Sequence, residues 1–88
     1  MTFGLRRRGS VAVVTLVTRV GCHLCEQAAP VAARLAAQAG ARYEQRDVDA
    51  SPSDLGLYSD KVPVVLLDGI EHAYWQIDEK ALRRALRG

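Results

Sequence analysis

The chain has 88 residues, of which 49% are hydrophobic and 25% are charged, so it can bury the core of one domain and no more. Its formal net charge is only +2, and half of its twelve cations are arginines near the two ends, at positions 6–8, 83, 84 and 87. The sequence has no basic stripe with interleaved aromatic side chains, which argues against nucleic-acid binding.

The N-terminus does not predict a membrane or export segment. No run approaches the roughly 20 apolar residues of a membrane helix. The apolar run Val11–Val17 is short, and Arg19 follows it without a small-residue cleavage site, so a signal peptide is not expected. We expect a monomeric cytoplasmic protein with a flexible leader at residues 1–10 and one folded domain at residues 11–88.

The first half of the domain predicts a strand followed by a helix. Val11–Val17 is almost wholly apolar and β-branched, which is typical of a strand buried on both faces. Apolar residues then recur at helical spacing from His23 to Ala39, with Pro30 as an expected kink and Gly40 as the C-cap. The positions predicted to face inward are Cys25, Ala28, Ala32, Leu35, Ala36 and Ala39.

The next segment predicts a second strand, Ala41–Val48, with Tyr43 and Val48 packed inward. A short helix then runs to about Leu57, because Ser51 suits its N-cap and Pro52 suits its first position.

The last third predicts a hairpin and a helix. Pro63–Leu67 is a strand, Asp68-Gly69 is a strong turn signal, and Ile70–Gln76 returns as the fourth strand. Asp78 caps a final helix that runs to Arg87. The positions of that helix predicted to face inward are Ala81, Leu82, Ala85 and Leu86.

The predicted order is therefore β-α-β-α-β-β-α. Strand–helix–strand units predict parallel pairing with right-handed crossovers, and the hairpin adds an antiparallel edge. The fold class is α/β, a four-stranded mixed sheet covered by three helices.

The segment Cys22-His23-Leu24-Cys25 contains both cysteines of the chain, at the predicted junction of strand and helix. Two thiols one helical turn apart can close and reopen a disulfide. Backbone N–H groups and the helix dipole lower the pKa of a thiol at this position. Cys22 is therefore the expected nucleophile, and the deeper Cys25 is expected to resolve the mixed disulfide.

Several further features accompany the CxxC motif. Arg19 to Gly21 approach the first cysteine, Pro30 lies five residues after the second, Val62-Pro63-Val64 begins a later strand, and Asp68-Gly69 forms a hairpin. In this element order the chain resembles the thioredoxin fold. From Val11 to Leu86 it is most similar to the glutaredoxin family, and within it to the divergent short bacterial proteins.

The resemblance implies two further site features. The Val62–Pro63 bond is expected to be cis, which places the Val62 backbone beside the sulfurs, where an extended peptide or glutathione can pair with it. Asp78 corresponds to an acid near the glutathione carboxylate. The family's Gly-Gly pair is absent, and bulky Tyr74 and Trp75 stand in that stretch. For Trp75 we expect core or edge packing, with contact to a partner protein as the alternative.

Three residues around the cysteines have open roles. His23 and Leu24 form the dipeptide that tunes the redox potential in this fold class, and a protonated His23 can stabilise the Cys22 thiolate. An exposed histidine without a role is the alternative. Arg19 either supplies positive charge near Cys22 or is a solvated arginine at the end of a strand.

The leading hypothesis is a thiol–disulfide oxidoreductase that acts in redox homeostasis and electron transport. Its substrates are disulfides of proteins or low-molecular-weight thiols. It needs no tightly bound cofactor, and its electron donor is glutathione, another small thiol or a reductase protein.

Two other functions stay open. Cys22, Cys25, His23 and His72 could bind zinc, or a homodimer could hold an iron–sulfur cluster through its thiolates. The chain could also be a non-catalytic module that uses the fold to dock a partner.

Overall fold

Four strands form one mixed sheet with the order β2-β1-β3-β4. The computed structural model describes residues 11–87, so the predicted leader at residues 1–10 lies outside the described residues. The strands are β1 (Val13–Thr18), β2 (Arg42–Asp47), β3 (Val64–Leu67) and β4 (Ile70–Tyr74).

Three helices cover this sheet, and the predicted element order is confirmed. They are α1 (His23–Gln38), α2 (Pro52–Tyr58) and α3 (Glu79–Arg87). A short 3₁₀ turn, Val48–Ala50, precedes α2 and was not predicted. Ser51 caps α2 as predicted, because its hydroxyl accepts a hydrogen bond from the Asp54 N–H. Within the described residues, no helix is long and apolar enough to cross a membrane.

The direction of β3 corrects one prediction. Strand β1 pairs with β2 in parallel across helix α1, as expected. Strand β3, however, pairs with β1 in the antiparallel sense, so the unit β2-α2-β3 is not a parallel crossover. A helix of seven residues rises only about 10 Å. If β3 were parallel to β2, the connection between them would have to run back along the full length of the six-residue β2, which is about 20 Å. Helix α2 is too short for that path.

The central strands are buried on both faces, as the apolar run in β1 predicted. On one face, Val14 and Leu16 of β1 pack with Leu35 of α1 and Leu82 of α3. On the other face, a second cluster packs below α2. Its members are Val17, Val48, Tyr58, Val64 and Leu66.

The positions predicted to face inward are buried or half-buried, with the exception of Ala39. Ala39 is exposed because it is the C-cap of α1 rather than part of its buried face. Val48 is fully buried as predicted, but it lies in the 3₁₀ turn, because β2 ends at Asp47. Tyr43 is half-buried against the α1 side of the core. Ala81 and Ala85 are also only half-buried, whereas the leucines of α3 are buried.

Candidate active site

Cys22 is the N-cap of α1 and follows directly after the loop that ends β1. The chain turns at Gly21, whose φ of +81° is readily adopted only by glycine, and the Cys22 N–H then donates to the Arg19 carbonyl at 3.1 Å. One turn into the helix, Cys25 forms a disulfide with Cys22, and their Cα atoms are 5.2 Å apart. The strand–loop–helix junction therefore brings the two sulfurs together.

The two cysteines differ in exposure. Cys25 is 3% exposed, whereas Cys22 is partly exposed at the end of the helix. The Cys25 N–H donates to Cys22 Sγ at 3.1 Å. This hydrogen bond and the positive end of a 16-residue helix both favour negative charge on the Cys22 sulfur in the reduced protein.

Arg19 lies next to the cysteine loop, but its guanidinium is committed elsewhere. Nε and Nη2 donate to the two carboxylate oxygens of Asp49 at 3.0 and 3.1 Å, and Nη1 donates to the Ser59 carbonyl at 3.1 Å. The hydrogen bond between the two side chains raises the pKa of Arg19 and lowers the pKa of Asp49. The Arg19 guanidinium is thus paired with Asp49 and Ser59, and its backbone carbonyl accepts the Cys22 N–H. A contribution of its charge to the Cys22 thiolate stays a prediction.

The dipeptide between the cysteines is exposed. His23 Nε2 lies 3.3 Å from the side-chain nitrogen of Gln27, one turn further along α1. The Leu24 side chain is 42% exposed. Leu24 is therefore an apolar surface residue directly between the two sulfur-bearing positions.

The Val62–Pro63 peptide bond is cis, the isomer that the family resemblance implied. Pro63 is buried and Val62 is half-buried. Within residues 11–87, the backbone N–H and carbonyl of Val62 take no part in a hydrogen bond.

A shallow groove of about 690 Å³ opens beside Leu24 of the CxxC segment. We call it the aromatic groove, and it is lined by Leu24, Val62, Tyr74, Trp75 and Gln76. The rings of Tyr74 and Trp75 meet edge to face, with centroids 5.1 Å apart. Core packing of Trp75 is wrong, because the residue is 54% exposed, and its ring packs against Tyr74 at the end of β4. Strand β4 ends at Tyr74, and Trp75 turns away with a φ of +66°.

Two other predicted residues stay outside the aromatic groove. Asp78 is the cap of α3, where its Oδ1 accepts hydrogen bonds from the N–H groups of Lys80 and Ala81. His72 is half-buried on β4. In the described part of the chain, no three His, Cys, Asp or Glu side chains come together as metal ligands, so the four zinc donors considered from the sequence do not meet.

Sequence reasoning did not find the groove as a unit. The sequence predicted separate roles for these residues. Leu24 was expected to tune the redox potential and Val62 to offer its backbone, whereas Tyr74 and Trp75 were bulky residues in the stretch where the family has a Gly-Gly pair. The adjacent aromatic pair directly after a hairpin strand was the available signal.

Comparisons with known proteins agree with this geometry. A family model described as "Glutaredoxin-like domain (DUF836)" matches residues 13–87. An uncharacterised protein of Mycobacterium tuberculosis is 45% identical over 75 residues, which are 80% of this chain and 77% of that protein. A structural-genomics target protein from X. campestris superposes with a TM-score of 0.64 at 31% identity, covering 84% of this chain and 95% of that chain. A mutant thioredoxin from Halobacterium salinarum superposes with a TM-score of 0.65 at 26% identity, covering 89% of this chain and 74% of that chain.

Proposed function

The chain belongs to the glutaredoxin-like family of the thioredoxin superfamily, and on this premise we propose that it is a thiol–disulfide oxidoreductase. Cys22 is the nucleophile and Cys25 is the resolving cysteine. The observation that carries the proposal is the asymmetry of the pair. Cys22 is partly exposed and its sulfur accepts the Cys25 N–H, whereas Cys25 is buried.

The reaction starts from the dithiol form. The Cys22 thiolate attacks one sulfur of a substrate disulfide, forms a mixed disulfide and releases the other substrate sulfur as a thiolate. Cys25 loses its proton to solvent and attacks Cys22 Sγ, which forms the Cys22–Cys25 disulfide and releases the second substrate thiolate. The protein loses two electrons and the substrate gains them.

The protein then has to be reduced again from outside. Glutathione, another low-molecular-weight thiol or a reductase protein supplies the two electrons, and the cytoplasm is the compartment that keeps such donors reduced. The backbone groups of Val62 make no hydrogen bond within residues 11–87, which supports a substrate chain that pairs with them. Asp78 caps α3 through its Oδ1, and contact of this residue with a thiol substrate stays a prediction.

The test separates the two cysteines in single-turnover reactions with bis(2-hydroxyethyl) disulfide. We expect Cys22→Ser to abolish reduction, because the attacking sulfur is gone. We expect Cys25→Ser to accumulate the mixed disulfide on Cys22. Mass spectrometry detects it as an increase equal to one thiol half of the substrate disulfide. Full reduction by Cys22→Ser, or a mixed disulfide on Cys25 instead, contradicts the assignment.

A second readout on the same variants tests why Cys22 reacts. In the Cys25→Ser variant, Cys22 is the single thiol, and its alkylation by iodoacetamide reports its thiolate fraction. We expect faster alkylation below neutral pH in the folded protein than in the same protein unfolded in urea. Equal rates in the two states would contradict stabilisation by the helix end and favour a docking module.

A further inference from the structure

The backbone of Trp75 has a conformation that is energetically unfavourable for tryptophan. Its φ of +66° lies in the left-handed region, where a residue with a Cβ is disfavoured by about 1–2 kcal/mol and glycine is not. Residues in such conformations cluster at ligand sites, where the surrounding contacts hold them. The conformation of Trp75 therefore points to a use for its side chain.

The contacts of Trp75 fix its indole beside the cis-proline segment. The Trp75 N–H donates to the Pro63 carbonyl at 2.9 Å, and indole Nε1 donates to the Asp60 carbonyl at 2.8 Å. The ring is thus held in place while 54% of the residue stays exposed. A fixed, half-exposed indole gives a partner apolar contact area at low conformational cost.

The aromatic groove carries no charged side chain among the described residues that line it. The cation near its edge, Lys61, lies over the Tyr74 ring and forms an ion pair with Glu71 at 3.4 Å. Glutathione carries two carboxylates, and this lining offers them no cation. An uncharged apolar segment is the complementary occupant.

The shape of this surface also fits an extended occupant. A second shallow cleft shares Leu24, Trp75 and Gln76 with the aromatic groove and continues along α1. Its other lining residues are Gln27, Ala28, Val31 and Ile77. At the other end lies Val62, whose N–H and carbonyl make no hydrogen bond within residues 11–87. An extended polypeptide can pair with that backbone and lay its side chains along the clefts.

We propose that Trp75 is the specificity-determining residue of the site, and that the aromatic groove receives an extended polypeptide segment with an apolar side chain beside its disulfide-bonded cysteine. The inference rests on the proposed function and names its substrate class. Cys22 attacks the cysteine sulfur of that segment, the partner sulfur leaves as a thiolate, and Cys25 completes the two-electron reduction as described above.

The test compares four disulfides in single-turnover reactions with the reduced protein. Two are short peptides whose cysteine is flanked by leucines or by aspartates, each disulfide-linked to 5-thio-2-nitrobenzoate. The others are glutathione disulfide and bis(2-hydroxyethyl) disulfide. We expect the wild-type protein to reduce the leucine-flanked peptide about tenfold faster than the aspartate-flanked peptide, which is the ratio that partial burial of one apolar side chain gives.

Trp75→Gly removes the side chain and keeps the left-handed backbone without strain. We expect it to lose this tenfold preference, because the leucine-flanked peptide is slowed far more than the aspartate-flanked peptide or bis(2-hydroxyethyl) disulfide. Trp75→Phe keeps an apolar ring, so it should keep most of the preference. The matched control is Ile70→Ala, which removes an apolar side chain that is 73% exposed on the same hairpin but outside the groove. It should keep the preference in full.

Two outcomes overturn the inference alone. One is a Trp75→Gly variant that keeps the preference or slows on all four disulfides equally. The other is a wild-type protein that reduces glutathione disulfide or the aspartate-flanked peptide fastest. A wild-type protein that reduces none of the four, including the small neutral disulfide, overturns the proposed function itself.

Discussion

A single carboxylate, that of Asp68, joins the turn between β3 and β4 to the start of β1. Its Oδ1 accepts hydrogen bonds from the N–H groups of Ala12 at 3.0 Å and Val13 at 2.9 Å. The Asp68 N–H donates in return to the Val13 carbonyl at 2.9 Å. Its φ of +50° is a conformation that aspartate tolerates better than most residues. Asp68 thus fixes the turn and the end of the β1–β3 pairing together.

We expect Asp68→Ala to lower the free energy of unfolding by about 1–2 kcal/mol, because it removes the acceptor of two backbone N–H groups and puts alanine at positive φ. Asp68→Asn is the matched control, since it keeps an oxygen acceptor and tolerates the same backbone, and it should lose less. Urea unfolding at neutral pH measures both. Equal losses in the two variants would rule out a specific role for the side-chain oxygen.

Arg19 shows which residue roles a sequence leaves open. Its place before the cysteines suggested a cation for Cys22. The partners of its guanidinium, Asp49 and Ser59, lie 30 and 40 residues further along the chain. The strand pairing and helix α2 bring these partners next to Arg19 in the fold. A local pattern cannot choose between such long-range partners and a nearby thiolate.

At the scale of elements, Glu79 joins two helices that lie on the same face of the sheet. Its Oε2 accepts hydrogen bonds from Arg34 of α1 at 2.8 Å and from Arg83 of α3 at 3.0 Å. The hydrogen bond from Arg34 is the main cause that holds the pKa of Glu79 below its usual 4.5, and Arg83 adds to it. The carboxylate therefore stabilises the packing of α3 in its charged form.

The sign of the resulting pH dependence follows from the lowered pKa of Glu79. A carboxyl group whose pKa is lower in the folded protein contributes its stability in full above its unfolded pKa, and loses it as the pH falls through the folded pKa. We therefore expect Glu79→Gln to be less stable than wild type near neutral pH, with a difference that shrinks as the pH falls below 4.5. Arg34→Gln should remove most of the same acid-dependent loss. Urea unfolding across this pH range measures it, and a difference that is constant or grows in acid would contradict the assignment.

The elements that the sequence predicted best are those with a long, regular pattern. The apolar run of β1 and the helical spacing of α1 lie within two residues of the observed bounds. The ends of β4 and β2 were placed too late, because Trp75 turns into the left-handed region and Val48 is buried from a 3₁₀ turn. The direction of β3 depends on how far the short α2 can carry the chain, which periodicity does not report.

At the scale of the whole molecule, the candidate site lies where separate parts of the fold meet. The cysteines could be predicted from their spacing and their place between strand and helix. The aromatic groove could not, because Leu24, Val62 and Trp75 are far apart in sequence and meet only when β3 lies beside β1. The strand pattern also favoured core or edge packing for Trp75. Hydrogen bonds from Trp75 to the carbonyls of Asp60 and Pro63 instead keep this residue at the surface beside the start of β3.

The redox pair adds little to the core that holds this molecule together. Two clusters on opposite faces of the sheet supply the buried apolar contacts, and they belong to strands and helices along the whole described chain. The cysteines close a loop between residues only three apart. A disulfide stabilises mainly by restricting the unfolded chain, and a loop this short contributes about 2 kcal/mol at most in the loop-entropy model.

We therefore expect the reduced protein to unfold cooperatively, with a free energy of unfolding lower than that of the oxidised protein by no more than about 2 kcal/mol. Urea unfolding followed by circular dichroism, with and without tris(2-carboxyethyl)phosphine, measures the difference. Cys22→Ser is the control, because it cannot form the disulfide. Its free energy of unfolding should be the same with and without the reductant. Loss of the cooperative transition on reduction would contradict this expectation. It would also contradict the proposed catalytic cycle, because that cycle requires the protein to be folded both as a dithiol, when it meets its substrate, and as a disulfide, when it meets its electron donor.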